Sequence, residues 1–176
     1  GGMIGENGRK PFDAAISLAT TSIDHRATPR DDNIRSRRLH LSADALETAA
    51  RNAARNGLSS RFETIRSDWF EKISGRFDII VSNPPYIRTD IVATLDREVR
   101  NHDPMAALDG GQDGLAPYRL IAADAGRFLV ENGIVGVEIG FDQRLDVSAI
   151  FASHGFPLLD AVKDYGGNDS VLTFRR

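Results

Sequence analysis

The chain has 176 residues, 41% hydrophobic and 27% charged, with a formal net charge of -3 and no cysteine. That length suits one domain with its own core, and the charge predicts no general affinity for nucleic-acid backbone. Without cysteine there are no disulfides, thiolate metal sites or Cys nucleophile, and with no membrane-length apolar run or secretory signal a cytoplasmic protein is expected.

In chain order, only residues 14–19 of the first 40 could serve as a strand. Residues 24–38 hold one large aliphatic residue, Ile34, among many charges, and Pro29 interrupts any helix there. Residues 1–12 and 24–38 are therefore expected to be mobile. From about residue 40 the pattern becomes regular. Ser42-Ala43-Asp44 can cap a helix over residues 45–55 that stops at Asn56-Gly57. Residues 62–66 read as a short strand leading into Ser67-Asp68-Trp69-Phe70, and residues 77–82 as a buried strand. A loop-rich stretch follows over residues 87–114. A helix over 117–129, with Pro117 in its first turn, leads to a turn at Asn132-Gly133 and a strand over 134–140. A helix over 143–154 and two strand-like runs, 158–162 and 171–174, close the domain. Such alternation predicts an α/β fold: a mainly parallel, doubly wound sheet with helices on both faces.

The most informative residues are Asn83-Pro84-Pro85-Tyr86, at the carboxyl end of the strand over 77–82. Ligands of open α/β sheets bind outside such strand ends. Each proline fixes φ and removes a backbone N–H, so the stretch is rigid and presents carbonyl oxygens without competing donors. Asn83 adds an acceptor and two donors, and Tyr86 a flat face. Together they suit a planar amino group. The four histidines, His25, His40, His102 and His154, show no ligand spacing, so no metal site is expected.

The chain resembles the class I methyltransferases that use S-adenosylmethionine to methylate the glutamine of peptide chain release factors. The resemblance covers roughly residues 41–176 and is carried by several motifs. These are Asp68-Trp69-Phe70, Asn83-Pro84-Pro85-Tyr86-Ile87, Glu98-Val99-Arg100, Ala107-Leu108-Asp109-Gly110-Gly111-Gln112-Asp113-Gly114-Leu115 with Tyr118-Arg119, and Glu138-Ile139-Gly140. It implies a Rossmann-like sheet, S-adenosylmethionine as cofactor and a release factor as protein substrate. It also implies that Asn83 and the Pro84 carbonyl accept the two amide hydrogens of the substrate while Tyr86 packs on the amide plane, with Pro85 completing the mouth. Asp68 and Trp69 would meet the adenine, and Asn83 is counted with them among the cofactor-binding residues. No general base is expected, because the nitrogen becomes acidic once alkylated. Read on its own, Asp68 is a loop carboxylate and Trp69 a core aromatic. Glu138 is equally a functional group or a strand-end carboxylate satisfied by loop donors. Arg100 and Arg119 read as surface or loop-bracing cations, and His102 and Asp103 as turn residues.

The cofactor half departs from the family pattern. The family's first strand ends in Asp-Leu-Gly-x-Gly-x-Gly, whereas this chain has no glycine between Gly8 and Gly57. At the family's spacing Ser17, Ala19 and Thr21 fall near the glycine positions, and His40 stands where an acidic residue binds the ribose hydroxyls. Both departures count against tight cofactor binding. Residues 1–39 are thus read as an atypical, partly disordered segment, native or left by a frameshift, and residues 40–176 as the methyltransferase-like domain. The family's N-terminal helical domain is not recognised. Small side chains in the first strand predict marginal stability or a homodimer. Two other functions stay open: a catalytically silent methyltransferase-fold protein, and an adenine amino-group methyltransferase.

Overall fold

In the computed structural model the described residues are 16–19 (backbone only), 35–94 and 107–176. They form β1 (Ile16–Ala19), β2 (Ser36–His40), α1 (Ala43–Arg55), β3 (Phe62–Arg66) and β4 (Phe77–Asn83). Then follow α2 (Thr89–Val92), α3 (Ala116–Phe128), β5 (Leu129–Glu138), α4 (Arg144–Ser153), β6 (Leu158–Lys163) and β7 (Asp169–Arg175). All seven strands join one sheet in the order β3-β2-β1-β4-β5-β7-β6. The first five are parallel, as expected, while β7 runs antiparallel to both β5 and β6. The five residues 164–168 between β6 and β7 are too few for a parallel crossover, so this pair closes as a hairpin. The strand order reverses between β1 and β4, which is where a doubly wound sheet opens a crevice at its carboxyl edge.

Local signals explain most boundaries. The Ser42 hydroxyl accepts from the Ala45 N–H at 3.3 Å, so α1 starts at Ala43, two residues before the expected start, and Asn56 ends it. On α3 the buried residues Tyr118, Ile121, Ala122, Ala125 and Phe128 recur at helical spacing and face the sheet. Phe128 stacks on Phe70 at 5.0 Å, and Phe151 of α4 stacks on Phe174 of β7 at 4.1 Å. Burying each such side chain stabilises the fold by about 1.5–3 kcal/mol. By contrast α1 buries only Leu46, Ala49 and Ala53. The well-filled core thus lies under α3 and α4.

Four expectations need correction. Residues 36–38, placed in the mobile stretch, belong to β2: Ser36 through His40 pair in register with Phe62 through Arg66, where ladder hydrogen bonds outweigh the lack of aliphatic side chains. Ser17 and Ala19, set near the glycine turn by spacing, lie inside β1; Thr21 and residues 24–34 are outside the described residues. The strand expected from residue 134 begins at Leu129, directly after α3, and Asn132 at φ 60 sits in the irregularity between the Phe77–Leu129 and Ile79–Ile134 pairs. The loop-rich stretch contains the single turn of α2. No helix among the described residues is long and apolar enough to cross a membrane.

Candidate active site

Register brings the site together. β4 and β5 pair in parallel with Ser82 opposite Val137, so the next residues, Asn83 and Glu138, stand side by side on one face at the strand ends. The Asn83 side chain hydrogen-bonds the Glu138 carboxylate. A carboxylate only accepts, so the Asn83 nitrogen is the end turned toward Glu138. On the other side of β4, Asn83 is the register partner of Ala19.

Pro84 and Pro85 are buried, and they turn the chain so that the Tyr86 hydroxyl comes back to Glu138 Oε1 at 3.5 Å. The backbone of Tyr86 is held from behind. Gln143 Nε2 donates to the Tyr86 carbonyl at 3.1 Å and to that of Gly114 at 3.3 Å. Its Oε1 accepts from the Gly140 N–H at 3.0 Å and the Tyr118 hydroxyl at 3.2 Å, and that hydroxyl also reaches the Glu138 carbonyl at 2.9 Å. Gln143 itself is buried.

Two glycines of the 107–115 segment, Gly110 and Gly114, are required by this mouth. A Cβ on Gly114, at φ +73, would lie 2.5 Å from the Tyr86 carbonyl oxygen, and one on Gly110 would lie 2.8 Å from Tyr86 Cα. Only glycine lets the two backbones approach so closely. Ile87 and Asp109 form a parallel bridge, and the Asp109 carboxylate accepts from the Gly111 N–H at 2.9 Å and the Thr89 hydroxyl at 2.7 Å. Arg119 grips Asp113 through two nitrogens, at 2.6 and 3.2 Å, which makes it a loop-bracing cation as expected.

Beside the mouth lies a cavity of about 610 Å³ at the carboxyl ends of β2, β3 and β4. Asp68, Trp69, Pro84 and Pro85 line it, together with Leu39 and His40; Asn83 and Tyr86 do not. Asp68 is exposed and Trp69 half-buried, and Trp69 adopts φ 42, a left-handed conformation. The buried Ser67 hydroxyl holds that turn, donating to the Trp69 carbonyl at 3.0 Å and accepting from the Lys72 N–H at 3.0 Å. His40 Nδ1 accepts from the Ser42 N–H at 2.8 Å, so the neutral ring carries its proton on Nε2. The arrangement can seat a flat heterocycle between apolar walls with a carboxylate at its edge.

The electrostatics favour a neutral-donor mouth around one carboxylate. Burial pushes the Glu138 carboxyl up from its ordinary value, opposed by hydrogen bonds from Tyr86 and Asn83. Burial first, then the Glu138 charge, raises the Tyr86 phenol, and burial raises Tyr118 strongly. Both phenols therefore stay protonated donors.

Glu98-Val99-Arg100, His102 and Asp103 lie outside the described residues. Gln143 was missed. It stands three residues after Gly140, at the start of α4, where a polar residue reads as an ordinary helix entry. The sequence leaves Glu138 open between two readings, and the donors that satisfy it, Tyr86 and Asn83, belong to the mouth itself.

A family model described as Methyltransferase small domain matches residues 25–99. The release factor glutamine methyltransferase of Agrobacterium fabrum is 94% identical over 136 residues, 77% of this chain and 47% of that protein. Its namesake in Caulobacter vibrioides is 45% identical over 135 residues, 76% of this chain and 47% of the relative. The chain thus spans about half the length of these curated relatives. A solved methyltransferase from Pyrococcus furiosus shares the fold at a TM-score of 0.69 and 19% identity, covering 94% of this chain and 76% of that one. On its sheet and on these identities, the chain belongs to the release factor glutamine methyltransferase family of class I methyltransferases.

Proposed function

We propose that the chain is the catalytic part of an S-adenosylmethionine-dependent enzyme that methylates the side-chain amide nitrogen of the glutamine in the Gly-Gly-Gln motif of peptide chain release factors. The observation that carries this reading is the Asn83 carboxamide at the end of β4, tied by its nitrogen to Glu138, in a chain 94% identical over 136 residues to a relative named for that activity. A primary amide offers two N–H groups in one plane, and the mouth answers with the Asn83 oxygen and the Pro84 carbonyl. Tyr86 covers the amide plane. An amide nitrogen is a weak nucleophile, so fixing its orientation supplies much of the rate. Acceptors that strengthen as positive charge develops on nitrogen supply more. A cytoplasmic location follows from such a substrate.

The cavity fits the adenosine end of S-adenosylmethionine in part. Trp69 and Leu39 give apolar walls, Asp68 would accept from the adenine amino group, and His40 would face the ribose hydroxyls. When bound, the cofactor supplies an electrophilic sulfonium methyl. His40 offers one ring N–H where a carboxylate would accept from two hydroxyls at once, so the ribose is held less firmly.

The test is transfer of tritiated methyl to a purified release factor and to the same factor with its Gly-Gly-Gln glutamine replaced by alanine. Label in the first and none in the second is expected. Equal label in both, or label only in an adenine-containing oligonucleotide offered in parallel, would overturn the reading.

A further inference from the structure

We propose that Glu138 is a positioning residue of the mouth, fixing which end of the Asn83 carboxamide meets the substrate. The proposal rests on the glutamine reading above and deepens it. The geometry is a convergence on one carboxylate: Glu138 at the end of β5 stands beside Asn83 at the end of β4, one residue beyond the Ser82–Val137 pair, and the Tyr86 hydroxyl reaches it from beyond the two prolines. A carboxamide turned by 180° has almost the same shape but exchanges an acceptor for two donors. Toward a substrate nitrogen that carries two hydrogens, only the oxygen-first orientation binds; the other sets N–H against N–H. Holding that orientation requires a partner that can accept from the Asn83 nitrogen. Glu138 can, since it accepts and never donates while ionised. The same carboxylate orients the Tyr86 hydroxyl, so one group sets both the acceptor and the aromatic wall.

Among the described residues, the titratable groups that interact with Glu138 are Tyr86 and Tyr118. Both are phenols kept protonated by burial, so Glu138 is the charged acceptor among the three. Gln143 meanwhile holds the Tyr86 backbone through its carbonyl, whereas Glu138 meets the Tyr86 hydroxyl. The two jobs are therefore separable by mutation.

Glu138→Gln keeps the size and removes the accept-only property. Expected is a fall in kcat of up to about 100-fold, the loss that misplacing a reacting group causes, with KM for the release factor and affinity for the cofactor's demethylated product changed less than about twofold. Combining Glu138→Gln with Asn83→Ala should cost no more than Asn83→Ala alone. Additive losses, or an unchanged kcat in Glu138→Gln, would overturn the proposal. A second readout needs no turnover: the side-chain NH₂ resonances of Asn83 in the ¹⁵N-labelled chain. They should be well separated in the wild type, titrate with the Glu138 carboxyl, and collapse toward each other in Glu138→Gln. Resonances indifferent to the mutation would defeat the positioning role whatever the substrate proves to be. Resonances that respond in a chain unable to methylate glutamine would instead defeat the glutamine reading.

Discussion

Gln143 Nε2 donates to the Tyr86 carbonyl at 3.1 Å, a bond between residues 57 apart that ties the start of α4 to the loop after β4. The same side chain satisfies Gly114, Gly140 and Tyr118. Leaving buried polar groups unsatisfied costs about 1–3 kcal/mol each, less where water enters. Gln143→Ala should therefore lower unfolding free energy by about 3 kcal/mol in urea denaturation. It should also weaken methyl transfer, because the Tyr86 backbone loses its clamp.

Gly114→Ala attacks the same contact from the other side. The new methyl would meet the Tyr86 carbonyl oxygen at 2.5 Å from a left-handed backbone. A shift of the loop is unavoidable, at a cost of about 2 kcal/mol or more. A melting temperature lowered by several degrees is expected. Gly155→Ala, at φ +81 with open space around it, serves as the control for backbone strain alone and should cost less.

These two contacts mark what the sequence did and did not reveal. Asn83-Pro84-Pro85-Tyr86 was legible because a buried strand running into two prolines has few other readings. Most elements from residue 42 onward were legible because Ser42 caps, Pro117 starts and periodic apolar residues fill them, while α2 and the early start of β5 were not. β2 was not, since Ser36-Arg37-Arg38 is polar and its strand conformation comes from pairing between β1 and β3. Gln143 was not, since three of its four partners, Tyr86, Gly114 and Tyr118, are distant in sequence. The glycines of residues 110–114 could be recognised as a motif, but the reason for Gly110 and Gly114, contact with the Tyr86 backbone, needed coordinates.

His40 gives the third prediction. It ends β2 and lines the cavity, with Nδ1 committed to the Ser42 N–H. His40→Asp keeps an acceptor for that N–H and adds a carboxylate facing the ribose. One charge-assisted hydrogen bond contributes about 1.5–3 kcal/mol, so cofactor affinity should rise at least tenfold by calorimetric titration. An unchanged affinity would place the ribose elsewhere.

The Asp113–Arg119 pair predicts an acid response. The Arg119 hydrogen bonds, then that from the Leu115 N–H, lower the Asp113 carboxyl from 3.8 to about 2. A depressed carboxyl stabilises the folded state above its unfolded pKa, and the contribution is lost as pH falls from about 4 toward about 2. Both side chains are half exposed, so screening holds the effect to about 0.5–1 kcal/mol. Asp113→Asn should remove that share of the acid-dependent loss in a pH series of urea melts. A slope identical to wild type would contradict it.

The central claim is that the Asn83 mouth holds a glutamine amide for methylation. The most direct measurement is single-turnover methylation of a release factor by the wild type and by Asn83→Ala, at saturating cofactor, with the modified peptide located by mass spectrometry. The account predicts one methyl group on the Gly-Gly-Gln glutamine with wild type, and a rate at least about 100-fold lower in Asn83→Ala at unchanged affinity for the demethylated cofactor. Methylation elsewhere on the factor, or equal rates in the two proteins, would contradict it.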